Sequence, residues 1–223
     1  MTYSQVIYLV LDEIKAVSDD ATFEEEHVLF LMQKFRAFLL KQRYADVRNI
    51  IPNANKQTIA VSLTADPEET TIQYLSSDSS LPKILKIGEV YGFTRIFIPT
   101  DRNTKINLVP IERFPYVGFA HSPLPFVYAA IEHDNTLVVK TVSTDVVLTS
   151  LNVTAVFSHP QDAWALRTPT DNVSDIRDAE FPLEDALVPP LVELIVKELH
   201  VAEYNPDDSR NNARDDLADV NMK

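Results

Sequence analysis

Residues 181–199 read FPLEDALVPPLVELIVKEL. Pro189 and Pro190 fit the first turn of a helix, where backbone N–H groups have no partner within the helix anyway, so this stretch predicts a helix running to about His200. Leu191, Val192, Leu194, Ile195, Val196 and Leu199 would wrap roughly two thirds of its circumference and leave only Glu193, Lys197 and Glu198 to face water. A helix so apolar asks for burial on more than one side. It belongs either at the centre of the chain's own core or between that core and a neighbouring subunit. Leu191 and residues 194–195 are expected to bury inward against N-terminal helices. The candidate surface for a neighbour is Phe181, Pro182, Leu183, Glu184, Asp185, Leu187, Val188, Pro189 and Pro190.

At the N-terminus, Tyr3, Val6, Ile7, Val10, Leu11, Ile14 and Val17 recur at three- and four-residue spacing, which places them on one helical face. Thr2 and Gln5 can form its capping box. After the polar break at residues 18–20, the run Thr22, Phe23, Glu24, Glu25 repeats the capping pattern, with glutamates at the positive end of the helix dipole. Val28, Leu29, Leu31, Met32, Phe35, Phe38 and Leu39 give the second helix a broad apolar face. Lys34, Lys41 and Arg48, with Arg36 and Arg43 beside them, give it a basic stripe. Residues 2–48 are therefore expected to form two antiparallel helices.

Beyond Pro52 the pattern changes to short runs rich in β-branched residues, bounded by Pro, Asn, Asp and Ser. Residues 58–63, 84–87, 95–98, 106–111, 127–133, 136–142 and 151–157 are strand candidates, and Asp134-Asn135 reads as a hairpin turn. Residues 67–82, polar and Ser-rich, read as a mobile loop, and residues 159–180 as acidic surface. Asn205, Pro206, Asp207 and Asp208 can cap a last short helix from Ser209 to about Val220. That helix carries too few apolar side chains to be stable alone. The fold class is thus α+β: an N-terminal helical hairpin and C-terminal helices packed together (residues 1–50 and 181–223), with an inserted β-rich subdomain (residues 51–180).

The 223 residues are 45% hydrophobic and 24% charged, an ordinary globular composition, but the net charge is −13. Such acidity opposes clamping of nucleic-acid phosphates, which needs Lys and Arg, and docking on anionic lipid. It does suit a wall past which DNA moves without sticking. With no cysteine, disulfides and thiol chemistry are closed. The N-terminus lacks the basic start and cleavage site of a secretory signal, and no run is long enough to span a membrane.

A search for chemistry returns little. Gly88, Gly92 and Gly118 match no phosphate-cradling loop. His27, His121, His133, His159 and His200 are scattered, and His159 with Asp162 falls short of the three or four ligands zinc needs. No serine stands in a nucleophile elbow. The many carboxylates sit in solvated turns and caps, where acid–base catalysis gains nothing. Glu184-Asp185 is the exception, between apolar neighbours ahead of the two prolines; it can cap the following helix or meet a cation of another subunit. The basic residues Lys41, Arg43 and Arg48 are candidate acceptors for acidic segments such as Asp207-Asp208 or Asp215-Asp216, with Arg210 between. No catalytic, cofactor or metal residue is assigned.

The chain resembles the ring, or head-to-tail adaptor, proteins beneath the portal of crAss-like tailed bacteriophages. The matching stretches are MTYSQVIYLVLDEIK and SDDATFEEEHVLFLMQKFRAFLLKQRYADV at the start, and FPLEDALVPPLVELIVKEL and YNPDDSRNNARDDLADV at the end. The resemblance implies a non-enzymatic virion protein of the neck or tail, assembled in the host bacterial cytoplasm. It further implies a ring of roughly twelve copies, contacts to the portal protein and to other ring or tail proteins, and a lumen that the double-stranded genome traverses without sequence-specific binding. A soluble carboxylate-based enzyme, or a phage binding module that leaves the particle, are the alternatives.

Overall fold

The computed structural model describes residues 1–17, 23–45, 50–65, 73–87, 90–91, 93–101, 104, 106–117, 127–141, 148–167 and 175–203. Helices and a mixed sheet are both present, so the α+β class holds. The first helix, α1 (Tyr3–Val17), starts where its periodicity begins. Its capping box is formed in full: Thr2 N–H donates to Gln5 Oε1 at 2.9 Å and Gln5 N–H to Thr2 Oγ1 at 3.3 Å. Thr2→Ala removes one half of this exchange and is expected to cost about 1 kcal/mol, read as a lowered midpoint in urea unfolding.

The second helix, α2 (Glu25–Arg43), begins and ends inside the expected span. Glu24 is its N-cap without a side-chain bond, and Glu25 and Glu26 occupy the first turn. Thr22 of the expected capping box lies outside the described residues. At the other end Tyr44 stops the helix, donating its backbone N–H to Leu40 O and its hydroxyl to Glu184 Oε1 at 2.8 Å. Helix α4 (Val188–Glu203) follows a single 3-10 turn, Asp185–Leu187, and carries both prolines in its first turn as expected. Leu191, Val192, Ile195 and Leu199 are buried, Leu194 and Val196 are half-buried, and Glu193, Lys197 and Glu198 face out. Tyr44 and Arg43 near the end of α2 meet Glu184 just before α4, while Lys34 at mid-α2 meets Glu198 late in α4. The two helices therefore run antiparallel. Helix α4 touches both N-terminal helices and gathers Tyr3, Val6, Ile7, Val10 and Ile14 of α1 with Val28, Met32, Leu39 and Leu40 of α2 into one core.

Seven strands form the main sheet: β1 (Gln57–Ala65), β2 (Gln73–Ser77), β5 (Phe93–Phe97), β6 (Ile106–Leu108), β7 (Val127–Ile131), β8 (Leu137–Thr141) and β9 (Ser150–Ala155). The order is β5-β9-β1-β2-β8-β7-β6, antiparallel throughout except for β6 with β7. The edge strands β5 and β6 come near each other, so the sheet curls almost into a barrel. Alternation dictates which face is inside: Ile59, Val61 and Leu63 of β1 and Leu151, Val153 and Ala155 of β9 fill the interior, while Thr58 and Thr154 share a hydroxyl hydrogen bond of 2.8 Å outside. Strands β3 (Lys86–Ile87) and β4 (Val90–Tyr91) make a separate two-stranded ribbon. Asn135 turns the β7–β8 hairpin with φ of 65°, a region Asn tolerates well, and Asp134 Oδ1 accepts from Thr136 N–H at 3.0 Å.

Three expectations are corrected. Residues 67–82, read as a mobile loop, contain β2, which sits between β1 and β8 near the centre of the sheet. Leu75 is its inward anchor, and one apolar residue among serines is too weak an alternation to detect. The strand expected over 106–111 stops at Leu108 and gives way to a 3-10 helix, Ile111–Tyr116. Its Phe114 packs edge-on against Tyr74, 6.2 Å between centroids, and Pro115 O accepts from the buried Lys140 ammonium. The acidic stretch 159–180 contains α3 (Pro160–Ala165), whose Pro160 and Ala163 are buried. The expected C-terminal helix lies outside the described residues.

Candidate assembly interface

The segment expected to reach a neighbour is largely committed within its own subunit. Phe181 is 4% exposed; its ring meets Tyr3 edge-on at 5.0 Å, and its N–H donates to Met1 O at 2.8 Å. Pro182, Leu183, Leu187 and Val188 are buried as well. The cause lies beneath them in Arg36, which is wholly buried and donates through Nε to Pro182 O at 2.8 Å, through Nη1 to Phe157 O at 2.8 Å and through Nη2 to Asn55 O at 3.1 Å. One guanidinium thus ties α2 to the chain entering β1, the chain leaving β9 and the chain entering α4. Desolvation lowers its pKa to about 10, so it stays charged at neutral pH. Asn55 extends the seam, its Oδ1 accepting from Glu184 N–H at 2.8 Å. The Glu184 carboxylate accepts from Tyr44 and pairs with Arg43 Nε at 3.3 Å. The cation that Glu184 finds is therefore in its own chain.

What the segment leaves outside is Asp185, Ala186, Pro189 and, in part, Glu184 and Pro190. Asp185 stands 4.0 Å from the N-terminal amine with its side chain 88% exposed. Of the basic candidates, Lys41 is exposed, Arg43 serves Glu184, and Arg48 lies outside the described residues, as do Asp207, Asp208, Arg210, Asp215 and Asp216. Arg36 leaves the basic stripe altogether. Its spacing from Met32 and Leu39, which are buried on the same face, was the signal that could have found it.

An open apolar groove lies elsewhere. A groove of about 1020 Å³ runs between α2 and one end of the curled sheet. Phe30, Lys34, Ala37 and Lys41 form its helical wall. The opposite side comes from residues 83–86, from residues 108–112 after β6, and from the turn after β7. The lining is mostly apolar, yet it holds four lysines (Lys34, Lys41, Lys83 and Lys86) against Glu112 and Glu132. Lys34 pairs with Glu198 at 2.8 Å; Lys41, Lys83 and Lys86 are exposed. A cluster of cations is unusual on a chain of net charge −13. Phe38, expected on the buried face, is 53% exposed beside this wall, and Phe30 is 62% exposed.

A second outward face carries the opposite charge. On α1, Tyr8 and Leu9 are 61% and 42% exposed, and Asp12 and Glu13 beside them face solvent, with Lys15 beyond. No residue of α1 lines the groove. Exposed aromatic side chains flanked by charge are the composition of protein contact surfaces.

Among the described residues, chemistry finds no comparable arrangement. Among the described residues no three potential ligands gather as a metal site. The carboxyl of Asp134 is held below the ordinary carboxylate range by hydrogen bonds from Thr136 in an exposed turn, which is the direction opposite to that of a catalytic acid. No helix among the described residues is long and apolar enough to cross a membrane.

A family model described as phage tail ring protein 2 matches residues 5–217. A relative called ring protein 2, of Bacteroides phage crAss001, is 37% identical over 229 residues, which cover 99% of this chain and 100% of the relative.

Proposed function

The chain belongs to the phage tail ring protein 2 family, and from that premise we propose that it is a non-enzymatic subunit of a ring in the neck of a crAss-like phage, acting as head-to-tail adaptor beneath the portal. Membership makes it a virion structural protein that assembles with other tail proteins. In the proposal the ring has roughly twelve copies and a lumen through which the genome is packaged, retained and ejected. A net charge of −13 supports a channel wall that does not bind DNA. The portal protein and further ring proteins are the axial partners, and assembly takes place in the host bacterial cytoplasm.

The observation that carries the reading is the pair of exposed, aromatic, oppositely charged faces on a subunit whose other large apolar side chains are mostly buried. The proposal divides the chain into a helical unit (residues 1–50 and 181–223), in which α1 and α2 form an antiparallel hairpin closed by α4, and an inserted β-rich unit (residues 51–180). Asp185 and Pro189 at the start of α4, together with Asp207, Asp208, Arg210, Asp215 and Asp216, are kept for contacts along the ring axis. Sedimentation velocity of the purified full-length chain, alone and with portal protein, is expected to give a closed multi-copy species visible as rings by electron microscopy. A monomer under both conditions, with no copy found in purified virions by mass spectrometry, overturns the proposal.

A further inference from the structure

We infer that the outer face of α1 from one copy, Tyr8 and Leu9 flanked by Asp12 and Glu13, docks into the lysine-rimmed apolar groove beside α2 of the next copy. The inference builds on the ring reading above and names the surfaces that close the ring. The two surfaces are both apolar at the centre and carry opposite charge in excess, four lysines against two glutamates in the groove and two carboxylates beside Tyr8 and Leu9 on α1. The groove offers Phe30, Ala37 and an apolar floor between Lys41, Lys83 and Lys86; the α1 face offers two large apolar side chains beside two carboxylates.

A helix laid in a groove reads its partner at positions one turn apart, and Tyr8 and Asp12 have that spacing. None of the groove's lining residues comes from α1, so within one subunit this face is not part of the groove it complements. The pairing is therefore made between copies. Two different patches on one chain that fit each other give a head-to-tail contact, and such contacts close into rings when the rotation allows. Charge sets the register and rejects the reversed orientation, because carboxylate against carboxylate and lysine against lysine costs several kcal/mol at close range. The apolar centre supplies affinity, with Tyr8 and Phe30 as the anchors. The contact also predicts that assembly weakens as salt rises.

The test uses full-length chains carrying reversed charge on one surface at a time. One has Asp12→Lys and Glu13→Lys, the other Lys41→Glu and Lys83→Glu, and all four positions are exposed. Circular dichroism should match the parent for both. Each variant alone is expected to self-associate at least about tenfold more weakly than the parent. An equimolar mixture should recover the ring, since every contact in an alternating ring is again complementary. In a chain that contains no cysteine, the pair Tyr8→Cys and Ala37→Cys with a short bis-maleimide linker should produce a ladder of cross-linked multimers, and mixed single-cysteine chains should stop at dimers. A ring that assembles unchanged despite both charge reversals overturns this inference while leaving the ring reading intact. So does cross-linking of position 37 to a cysteine at position 208 instead of position 8, which puts the C-terminal segment in the groove. A parent chain that never self-associates overturns the inference and the ring reading together.

Discussion

Arg36→Ala is expected to destabilise the subunit by roughly 3–5 kcal/mol, a large share of the 5–15 kcal/mol that typically separates folded from unfolded domains. The side chain is wholly buried and satisfies three backbone carbonyls, those of Asn55, Phe157 and Pro182. Truncation strands all three in a dry seam and opens a cavity, and the backbone acceptors cannot be removed by any compensating substitution. Urea unfolding followed by circular dichroism measures the loss. Arg36→Lys keeps the charge but replaces a planar fork by a point donor, so an intermediate loss is expected. Arg36→Met keeps much of the volume and discards both the charge and the donors, and it should stay close to the alanine variant because the carbonyls remain unpaired. Should Arg36→Ala fall within 1 kcal/mol of the parent, the seam between helices and sheet is held by apolar contact alone.

Ile195→Asp is expected to be more severe still, abolishing the cooperative fold. Ile195 is fully buried where α4 packs among the N-terminal helices. A carboxylate there must be desolvated, without a partner, at a cost above about 5 kcal/mol. Near-UV circular dichroism should lose its tertiary signal and the protein should fail to enter rings. Glu193→Lys, two residues earlier and on the solvent side of α4, is the matched control and should leave the fold unchanged. A folded Ile195→Asp monomer that failed only in assembly would transfer this residue from core to contact surface.

These two residues show where sequence reading succeeds and where it stops. Ile195 was legible because α4 announces its burial through composition and period, and Pro189 and Pro190 mark its start. Tyr3, Val6, Ile7, Val10 and Ile14 were legible for the same reason, and the strands with clean alternation, β1 and β9, came through nearly to the residue. Arg36 was legible only through its spacing from Met32 and Leu39, and its partners were not. A cation in a stripe of cations reads as solvated until the chain places three carbonyls around it, and those come from positions 55, 157 and 182. Strand β2 was missed because its burial comes from its neighbours β1 and β8 and not from its own pattern.

The candidate contact surface divides the same way. The opening stretch, Phe181 to Leu199, is apolar enough to ask for burial on more than one side, either in the chain's own core or against a neighbouring subunit. Sequence alone does not say that Tyr3, Arg36, Tyr44 and Asn55 of the same chain meet residues 181–184. Conversely, Phe38 reads as part of the apolar face of an amphipathic helix, and only the packed structure turns it outward.

By itself the sequence determined the three long helices α1, α2 and α4, most of the strands, the acidity and the family resemblance, because period, capping and composition act over a few neighbouring residues. Tertiary structure alone decided the order of the sheet, the buried guanidinium and which aromatic side chains stay exposed. Those outcomes depend on which distant segments compete for the same space, and burial of one apolar side chain settles the exposure of another.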